Sequence, residues 1–297
     1  ERADKVTVIV RMGSDERRTE LKFARFDGDA SVYSGSVTLP VAGLWYYRFE
    51  SVAGGRVTYY GRGSGGCAVS GEWLPEWQLT VSKRTYKTPD WAKEGVVYQI
   101  FADRFARAGE VKFAKKGRLH TDWYDLPDIA DEGGEYRADD FFGGNAQGVI
   151  ERLDYLKSLG VTVIYLSPVF LSSSNHRYDT ADYMRADDLF GGDEGVKALC
   201  AAAKKKGIRV ILDGVFNHTG ADSVYFNKFG TFPGKGAYQG EDSPYYGWYT
   251  FYEHPDSYHC WWGSTVVPTV DKSAQGFRKL VLGKGGVIDK WTKAGAD

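Results

Sequence analysis

Three polar side chains that follow one apolar segment form the strongest chemical pattern in the sequence. Asp213, Asn217 and His218 come directly after residues 208–212, a β-branched run that predicts a buried strand. Because loops at strand ends carry binding and catalytic groups while the strands supply rigidity, we expect these side chains to lie at a functional edge of the fold. A carboxylate, an amide and an imidazole in one place can hold a polar ligand through hydrogen bonds.

Strands and helices alternate around this segment. Apolar runs predict buried strands at 95–101, 161–167 and 208–212, and amphipathic periodicity predicts helices at 145–159 and 193–206. This order opens either a (β/α) barrel or a doubly wound sheet, and the order of elements alone does not choose between them.

Residues 216–272 interrupt the alternation. They are rich in Gly, Tyr and Trp and lack a clear helical period, so we expect either a functional loop or a small subdomain. Its residues Tyr258, Trp261 and Trp262 fit a binding-site wall and a subdomain core equally well. Helical periodicity returns at 275–294, where glycines weaken the middle.

The first 88 residues have a different rhythm. Short alternating segments separated by Gly, Asp and Ser predict a β-sandwich over residues 1–88, followed by an α/β domain over residues 89–297. The chain of 297 residues is long enough for two domains of roughly 150 residues each. We expect the strand aromatics to form the sandwich core; they are Trp45, Tyr46, Tyr47, Trp73 and Trp77.

The composition excludes some classes of partner. The net charge is −1 and no long run of one sign occurs, which gives no electrostatic footprint for nucleic acid or an anionic membrane. No apolar run has the length of a membrane span. Cys67, Cys200 and Cys260 are too far apart for a C-x-x-C site, so we expect reduced thiols. The first residues have no signal-peptide pattern, and we expect a cytoplasmic protein.

Four segments, in order, resemble the α-amylase family of glycoside hydrolases (family 13), and in particular its neopullulanase and cyclomaltodextrinase members. They are residues 97–105 (VYQIFADRF), 141–149 (FFGGNAQGV), 176–183 (HRYDTADY) and 213–218 (DGVFNH). Residues 267–271 (VPTVD) look like a diverged copy of the family's short subdomain motif. The resemblance implies the first three β/α units of a (β/α)8 TIM-type barrel, with the subdomain inserted after strand 3 and the chain ending before strand 4. It therefore covers the N-terminal half of such an enzyme.

The resemblance also implies roles for site residues. Tyr178 would stack beneath the sugar at the scissile bond, and His176 and His218 would hydrogen-bond its hydroxyls. Asp213 would hold the catalytic arginine and carboxylate network, and Asn217 would tie the loop, in some relatives through calcium. The other histidines, His120, His254 and His259, have no motif around them, so surface or loop positions are expected.

The family's catalytic carboxylates have no matching positions here. Its nucleophilic Asp, acid/base Glu and third Asp are expected beyond Asp297, so no catalytic residue is assigned within this chain. The calcium-binding loop of relatives corresponds to residues 106–112 here, and Asn145 stands where they have Asp. Most hard-cation ligands are therefore missing, and we expect no cofactor to be required for the chemistry, with calcium left open.

The activity that the resemblance implies is retaining hydrolysis of α-1,4 glucosidic bonds, extended in some members to α-1,6 bonds. The expected partners are maltooligosaccharides or starch fragments, the remaining half of the barrel, and a second copy of the full-length protein. Two alternatives stay open: a transglycosylase or branching enzyme on the same scaffold, and a non-catalytic relative that binds carbohydrate or protein.

The 297 residues alone are predicted to hydrolyse no maltodextrin, because retaining chemistry needs two carboxylates about 5 Å apart and the matching positions are expected beyond Asp297. A reducing-sugar assay on the purified fragment checks this, with a chain extended through the remaining strands as the active control. Turnover of maltodextrin by the fragment would refute the prediction.

Overall fold

The structure is a computed structural model that describes residues 2–66, 68–71, 73–83, 87–128, 130, 134 and 138–297. The chain divides into two compact units, Glu1–Thr88 and Pro89–Asp297. Cys67 and the linker residue Tyr86 lie outside the described residues.

The first unit is an antiparallel sheet. Its strands are β1 (Lys5–Met12), β2 (Asp15–Asp27), β3 (Ala30–Ser34), β4 (Gly43–Ala53), β5 (Arg56–Arg62), β6 (Ala68–Ser70) and β7 (Trp77–Val81). They are hydrogen-bonded in the order β3-β2-β1-β4-β5-β6, with β7 pairing with β4. Four consecutive residues of β1, Thr7 to Val10, are buried, so the middle of this strand is covered on both faces. The sheet-rich N-terminal region that the sequence predicts is confirmed.

The aromatic residues of this unit divide between the interior and the surface. Trp45 is fully buried against Val8 and Val10, and its indole N–H donates to the carbonyl of Val41 at 3.1 Å. Tyr47 and Trp77 stack with centroids 5.5 Å apart. The prediction that all five strand aromatics form the core is wrong for Trp73 and Tyr46, which are 96% and 37% exposed. Trp73 lies between β6 and β7, so no strand pairing directs its side chain inward.

A parallel sheet forms the centre of the second unit. Its strands β8 (Val97–Ile100), β11 (Val163–Leu166) and β14 (Arg209–Leu212) are ordered β14-β11-β8. The registers join Leu166 to Ile100 on one side and to Leu212 on the other. The carboxyl ends of the three strands therefore meet at one edge.

Short strand pairs and helices surround this sheet. The remaining strands of the second unit are β9 (Arg118–Leu119), β10 (Asp140–Phe141), β12 (Phe170–Ser172), β13 (Thr180–Ala186), β15 (Phe251–Glu253) and β16 (Ser257–Tyr258). Its helices are α1 (Asp90–Lys93), α2 (Ala102–Phe105), α3 (Ala146–Glu151), α4 (Leu153–Ser158), α5 (Gly192–Lys205), α6 (Gln275–Leu282) and α7 (Val287–Lys293). None of the helices among the described residues is long and apolar enough to cross a membrane.

The helices differ in detail from the predicted ones. The predicted helix 145–159 is two helices, because Arg152 leaves helical geometry at φ −98° and ψ 3°. Asn145 caps α3, its side-chain oxygen accepting the Gly148 N–H at 2.8 Å. The predicted helix 275–294 is also divided in two, and the break falls on the glycines at 283–286.

Glycines in the FFGGNAQGV segment allow backbones to approach closely. A Cβ atom on Gly144 would lie 2.2 Å from the carbonyl oxygen of Ala102, and one on Gly148 would lie 2.2 Å from that of Ala106. Only glycine fits at these contacts. The segment therefore packs α3 directly against the chain that leaves β8.

Candidate active site

The ends of the parallel strands place the site. Asp213 directly follows β14, and its backbone N–H donates to the carbonyl of Leu166 at 3.1 Å. Ser167 directly follows β11 and bonds the carbonyl of Ile100 at 2.9 Å in the same way. Ladder hydrogen bonds thus continue past the strands and fix Ser167 and Asp213 as neighbours at the sheet edge.

Two phenols face the carboxylate of Asp213. Tyr178 is 37% exposed. The pKa of its phenol is raised, mainly by burial and secondly by the negative charge of Asp213. Burial and a hydrogen bond to Asp213 raise the pKa of Tyr165, in β11, to about 12. The structure thus brings Tyr178 and Asp213 together, as the sequence predicts. The sequence analysis did not assign Tyr165 to the site. The alternation of side chains along a strand could have indicated its position.

His176 lies on the same loop as Tyr178. Its Nδ1 atom accepts the backbone N–H of Tyr178 at 3.0 Å and lies 3.1 Å from the hydroxyl of Ser174. Burial lowers the pKa of His176, which keeps the ring neutral with the proton on Nε2. Neutral His176 therefore carries one N–H donor.

His218 joins two loops. The amide N–H of Asn217 donates to His218 Nδ1 at 2.8 Å, and Nε2–H donates to the Tyr178 carbonyl at 3.1 Å. Burial lowers the pKa of this imidazole, which is 3% exposed. The structure brings all five predicted site residues together, but it engages both ring nitrogens of His218 within the protein. The expected contact of His218 with a sugar hydroxyl stays a prediction.

A cluster of serines fixes the loop that carries His176 and Tyr178. The carboxylate of Asp179 accepts hydrogen bonds from the hydroxyls of Ser172 at 2.6 Å, of Ser173 at 2.9 Å, and of Ser174. A carboxylate with several donors is a strong anchor for a polar loop. The sequence analysis did not assign this role to the serines, although three in succession before a carboxylate are a recognisable signal.

Arg177 points into the interior. It is fully buried with a left-handed backbone (φ 59°), and its Nε atom lies 3.4 Å from the carboxylate of Asp187. Lys115 bonds the same carboxylate at 2.6 Å. The polar loop around Tyr178 is thus partly buried, and it is stabilised by paired charges.

The buried hydroxyl of Tyr183 holds the segment after β14. Its single O–H is shared between the carbonyls of Val215 at 2.6 Å and of His218 at 2.8 Å. Tyr183 belongs to β13, so these bonds join the hairpin that carries Tyr178 to the loop that carries His218. The sequence identified Tyr183 as part of a motif without assigning it this role.

A cleft of about 450 Å³ opens over these residues. Tyr178, His176 and His218 line it together with Trp261 and Trp262. The two tryptophans are therefore part of the cleft wall, whereas Tyr258 is 6% exposed and belongs to the core.

The residues at the family's calcium loop do not fit a hard cation. Arg107 donates to the carbonyls of His120 at 2.7 Å, Thr121 at 2.8 Å and Phe142 at 3.2 Å. The side-chain oxygen of Asn145 accepts backbone N–H groups of Ala108 and Gly148. A guanidinium thus binds the carbonyl oxygens that a cation would need.

The surroundings of His120 correct another expectation. His120 is buried at 1% exposure and bonds Asp125 at 2.6 Å and, through its other nitrogen, Asp140. One of its ring nitrogens lies within 4.8 Å of carboxylate oxygens of Asp128 and Asp140, a spacing at which the three side chains could hold a metal ion. Arg104 and Arg118 pair with these acids, so the charges are compensated within the protein. His120 is thus a structural residue and not a surface one.

Comparison with known proteins places this site in a family. The model of the alpha-amylase catalytic domain matches residues 99–273, more than half of the chain. The chain belongs to the alpha-amylase family. The resemblance found in the sequence is confirmed, and the second unit has the alpha-amylase catalytic-domain fold.

Three relatives illustrate the match to the family. An amylopullulanase of Thermoanaerobacterium saccharolyticum is 40% identical over 292 residues, covering 88% of this chain and 23% of the relative. Neopullulanase 2 of Thermoactinomyces vulgaris is 35% identical over 210 residues, covering 68% of this chain and 32% of the relative. The structure of the type III pullulan hydrolase from Thermococcus kodakarensis has a TM-score of 0.57 and 25% identity, covering 99% of this chain and 50% of that one. The chain therefore spans half or less of each protein.

Protonation of the buried imidazole is predicted to destabilise the fold in acid. Because burial holds the pKa of His218 below its ordinary value of 6.5, the unfolded chain takes up the proton first as pH falls. The free energy of unfolding is therefore expected to decrease as pH falls below 6.5, and His218→Gln is expected to weaken that dependence. Denaturant unfolding between pH 8 and pH 5 measures the dependence.

The exposed His259 supplies the matched control for this experiment. His259→Gln is expected to keep the pH dependence of the wild type. An identical pH dependence in His218→Gln and the wild type would contradict the account.

Proposed function

We propose that this chain forms the sugar-holding part of an enzyme that hydrolyses the α-glucosidic bonds of starch-derived oligosaccharides, α-1,4 bonds first and α-1,6 bonds as a second linkage. The observation that carries the proposal is the cleft lined by Tyr178, His176 and His218 in an alpha-amylase family member, with Asp213, which follows β14, beside the phenol of Tyr178. The names of the relatives, amylopullulanase, neopullulanase and pullulan hydrolase, favour an α-glucan.

The floor of the cleft suits a sugar ring. Tyr178 is partly exposed, and its ring offers an apolar face on which the C–H groups of a glucose unit can rest. The Nε2–H of His176 is a hydrogen-bond donor on the same loop, and the carboxylate of Asp213 is an acceptor beside the phenol. A sugar hydroxyl both donates and accepts, so this pairing can orient the ring.

The electrostatics of the cleft suit an uncharged sugar that develops positive charge in the transition state. Burial lowers the pKa of both imidazoles, so His176 and His218 carry no charge at neutral pH. The carboxylate of Asp213 lies between the phenols of Tyr165 and Tyr178. The negative charge of Asp213 favours a cationic partner, and an oxocarbenium-like transition state develops positive charge on the sugar.

The chemistry itself requires further residues. We propose a retaining mechanism in which the nucleophilic Asp, the acid/base Glu and a third Asp lie beyond Asp297, and in which no cofactor takes part. We propose in addition that residues 89–297 supply the first three units of a (β/α)8 barrel. The backbone N–H of Asp297 donates to the Val210 carbonyl at 2.8 Å, which supports continued pairing along β14.

We also propose domain types for the rest of the chain, and a localisation, an assembly state and partners for the full-length protein. Residues 1–88 form a sandwich of the type that precedes starch-enzyme barrels, and residues 216–272 are the inserted subdomain. The full-length protein is proposed to be cytoplasmic and homodimeric, with maltooligosaccharides as substrates and no nucleic acid or membrane partner.

The role of Tyr178 is tested in the full-length protein that carries this chain. Tyr178→Ala is expected to lower kcat/KM for maltoheptaose by roughly 100-fold, because the sugar loses its stacking face and its orientation at the scissile bond. Tyr178→Phe keeps the ring and is expected to retain most of the activity. Initial rates of reducing-sugar release measure both.

Controls separate this role from stability and from other functions. Tyr155 is 51% exposed on α4, and Tyr155→Ala is expected to keep wild-type rates. Chromatography of the products identifies a transglycosylase by products longer than maltoheptaose. A folded wild-type protein that binds maltoheptaose without cleaving it would contradict the proposed hydrolysis and identify a non-catalytic binder.

A further inference from the structure

We infer that the stacked pair Trp261–Trp262 is a second sugar-binding platform, which holds an outer glucose ring of an α-glucan chain whose inner ring lies on Tyr178. This inference rests on the proposed function and adds to it a position that selects for longer chains.

Three aromatic rings form a continuous ladder along the cleft wall. The His218 imidazole lies 5.0 Å from the ring of Trp261, and the rings of Trp261 and Trp262 stack 4.3 Å apart at an angle of 10°. His218 in turn bonds the carbonyl of Tyr178. The ladder therefore runs from the inner floor of the cleft to solvent.

The outermost ring has an open face. Trp262 is 87% exposed, whereas Trp261, between its two neighbours, is 40% exposed. One face of Trp262 is covered by Trp261, so the exposed area includes the opposite face. An exposed indole face beside a cleft can stack on the apolar face of a sugar ring.

The backbone holds Trp262 in this position at a conformational cost. Trp262 has φ 52° and ψ 27°, the left-handed region that a bulky side chain rarely adopts. Backbone bonds fix the loop around it: the N–H of Trp261 donates to Val267 at 3.1 Å, and that of Ser264 donates to Trp261 at 3.0 Å. Strain maintained by surrounding structure is characteristic of functional positions. The platform is therefore preorganised.

An α-glucan is the occupant that fits the whole wall. The rings of Tyr178 and Trp262 border one cleft of about 450 Å³, which Asp179 and Ser264 also line. Apolar ring faces with hydroxyls around their edges match a row of aromatic faces separated by polar groups. Other exposed aromatics of the subdomain, such as Phe229, do not line this cleft.

The test uses the full-length protein with maltotriose and maltoheptaose as substrates. Trp262→Ala is expected to raise KM for maltoheptaose by about tenfold, the effect of uncovering one apolar ring face, while kcat keeps its wild-type value because this binding is the same in ground and transition states. KM for maltotriose is expected to stay at the wild-type value. Trp262→Phe is expected to recover most of the loss, and Phe229→Ala, an exposed aromatic outside the cleft, is the control.

The contradicting outcomes are distinct. Equal effects of Trp262→Ala on both substrates, or an unchanged KM for maltoheptaose, would overturn the platform while leaving hydrolysis established. A change of oligomeric state on size exclusion with unchanged KM would show instead that Trp262 contacts a second copy. A wild-type protein that neither cleaves maltoheptaose nor binds it in calorimetry would overturn the proposed function, and the platform with it.

Discussion

One buried phenol, whose O–H is shared between two carbonyls, holds the site together. The hydroxyl of Tyr183 bonds the carbonyls of Val215 and His218, and so joins the hairpin after β11 to the loop after β14. The indole N–H of Trp291 fixes the carbonyl of Tyr183 from the other side at 2.9 Å. Because an unpaired carbonyl in the interior is costly, these bonds leave the two loops little freedom relative to each other. The contacts among Tyr178, His218 and Asp213 depend on that constraint.

The strands set the coarse geometry and the loops refine it. Parallel pairing brings Ser167 and Asp213 to one edge, but it does not orient the groups that follow. Orientation comes from local acceptors and donors: the Asp179 carboxylate with its serines, and His218 between Asn217 and the Tyr178 carbonyl. The cleft is thus a rigid frame of hydrogen bonds that presents aromatic faces to a ligand.

Much of this arrangement was predictable because it follows from periodicity and strand ends. The buried strands and the helix at 192–205 have strong patterns, and Asp213 directly follows a strand. The inward turn of Arg177 and the burial of His120 were not predictable in this way. A polar residue is buried when a distant partner compensates its charge, as Asp187 does for Arg177, or satisfies its hydrogen bonds, as Asp140 does for His120. Sequence polarity alone does not indicate which distant residue will be near.

The exposed aromatic residues also show that burial is hard to predict from local sequence. Trp73 and Trp262 are large aromatic residues of a type often found in protein cores, yet both are exposed. Burial depends on whether a neighbouring element covers the side chain, which local sequence does not specify. Trp262 differs from Trp73 because it belongs to an ordered stack beside a cleft.

Replacing Tyr183 by Phe in the full-length protein tests the central constraint most directly. The free energy of unfolding is expected to fall by about 1–3 kcal/mol, since the O–H shared by two interior carbonyls is lost. A higher KM for maltoheptaose is also expected, since His218 and Tyr178 lose their fixed separation. Tyr155→Phe, at an exposed position, should change neither. A Tyr183→Phe protein with wild-type stability and wild-type KM would contradict the account.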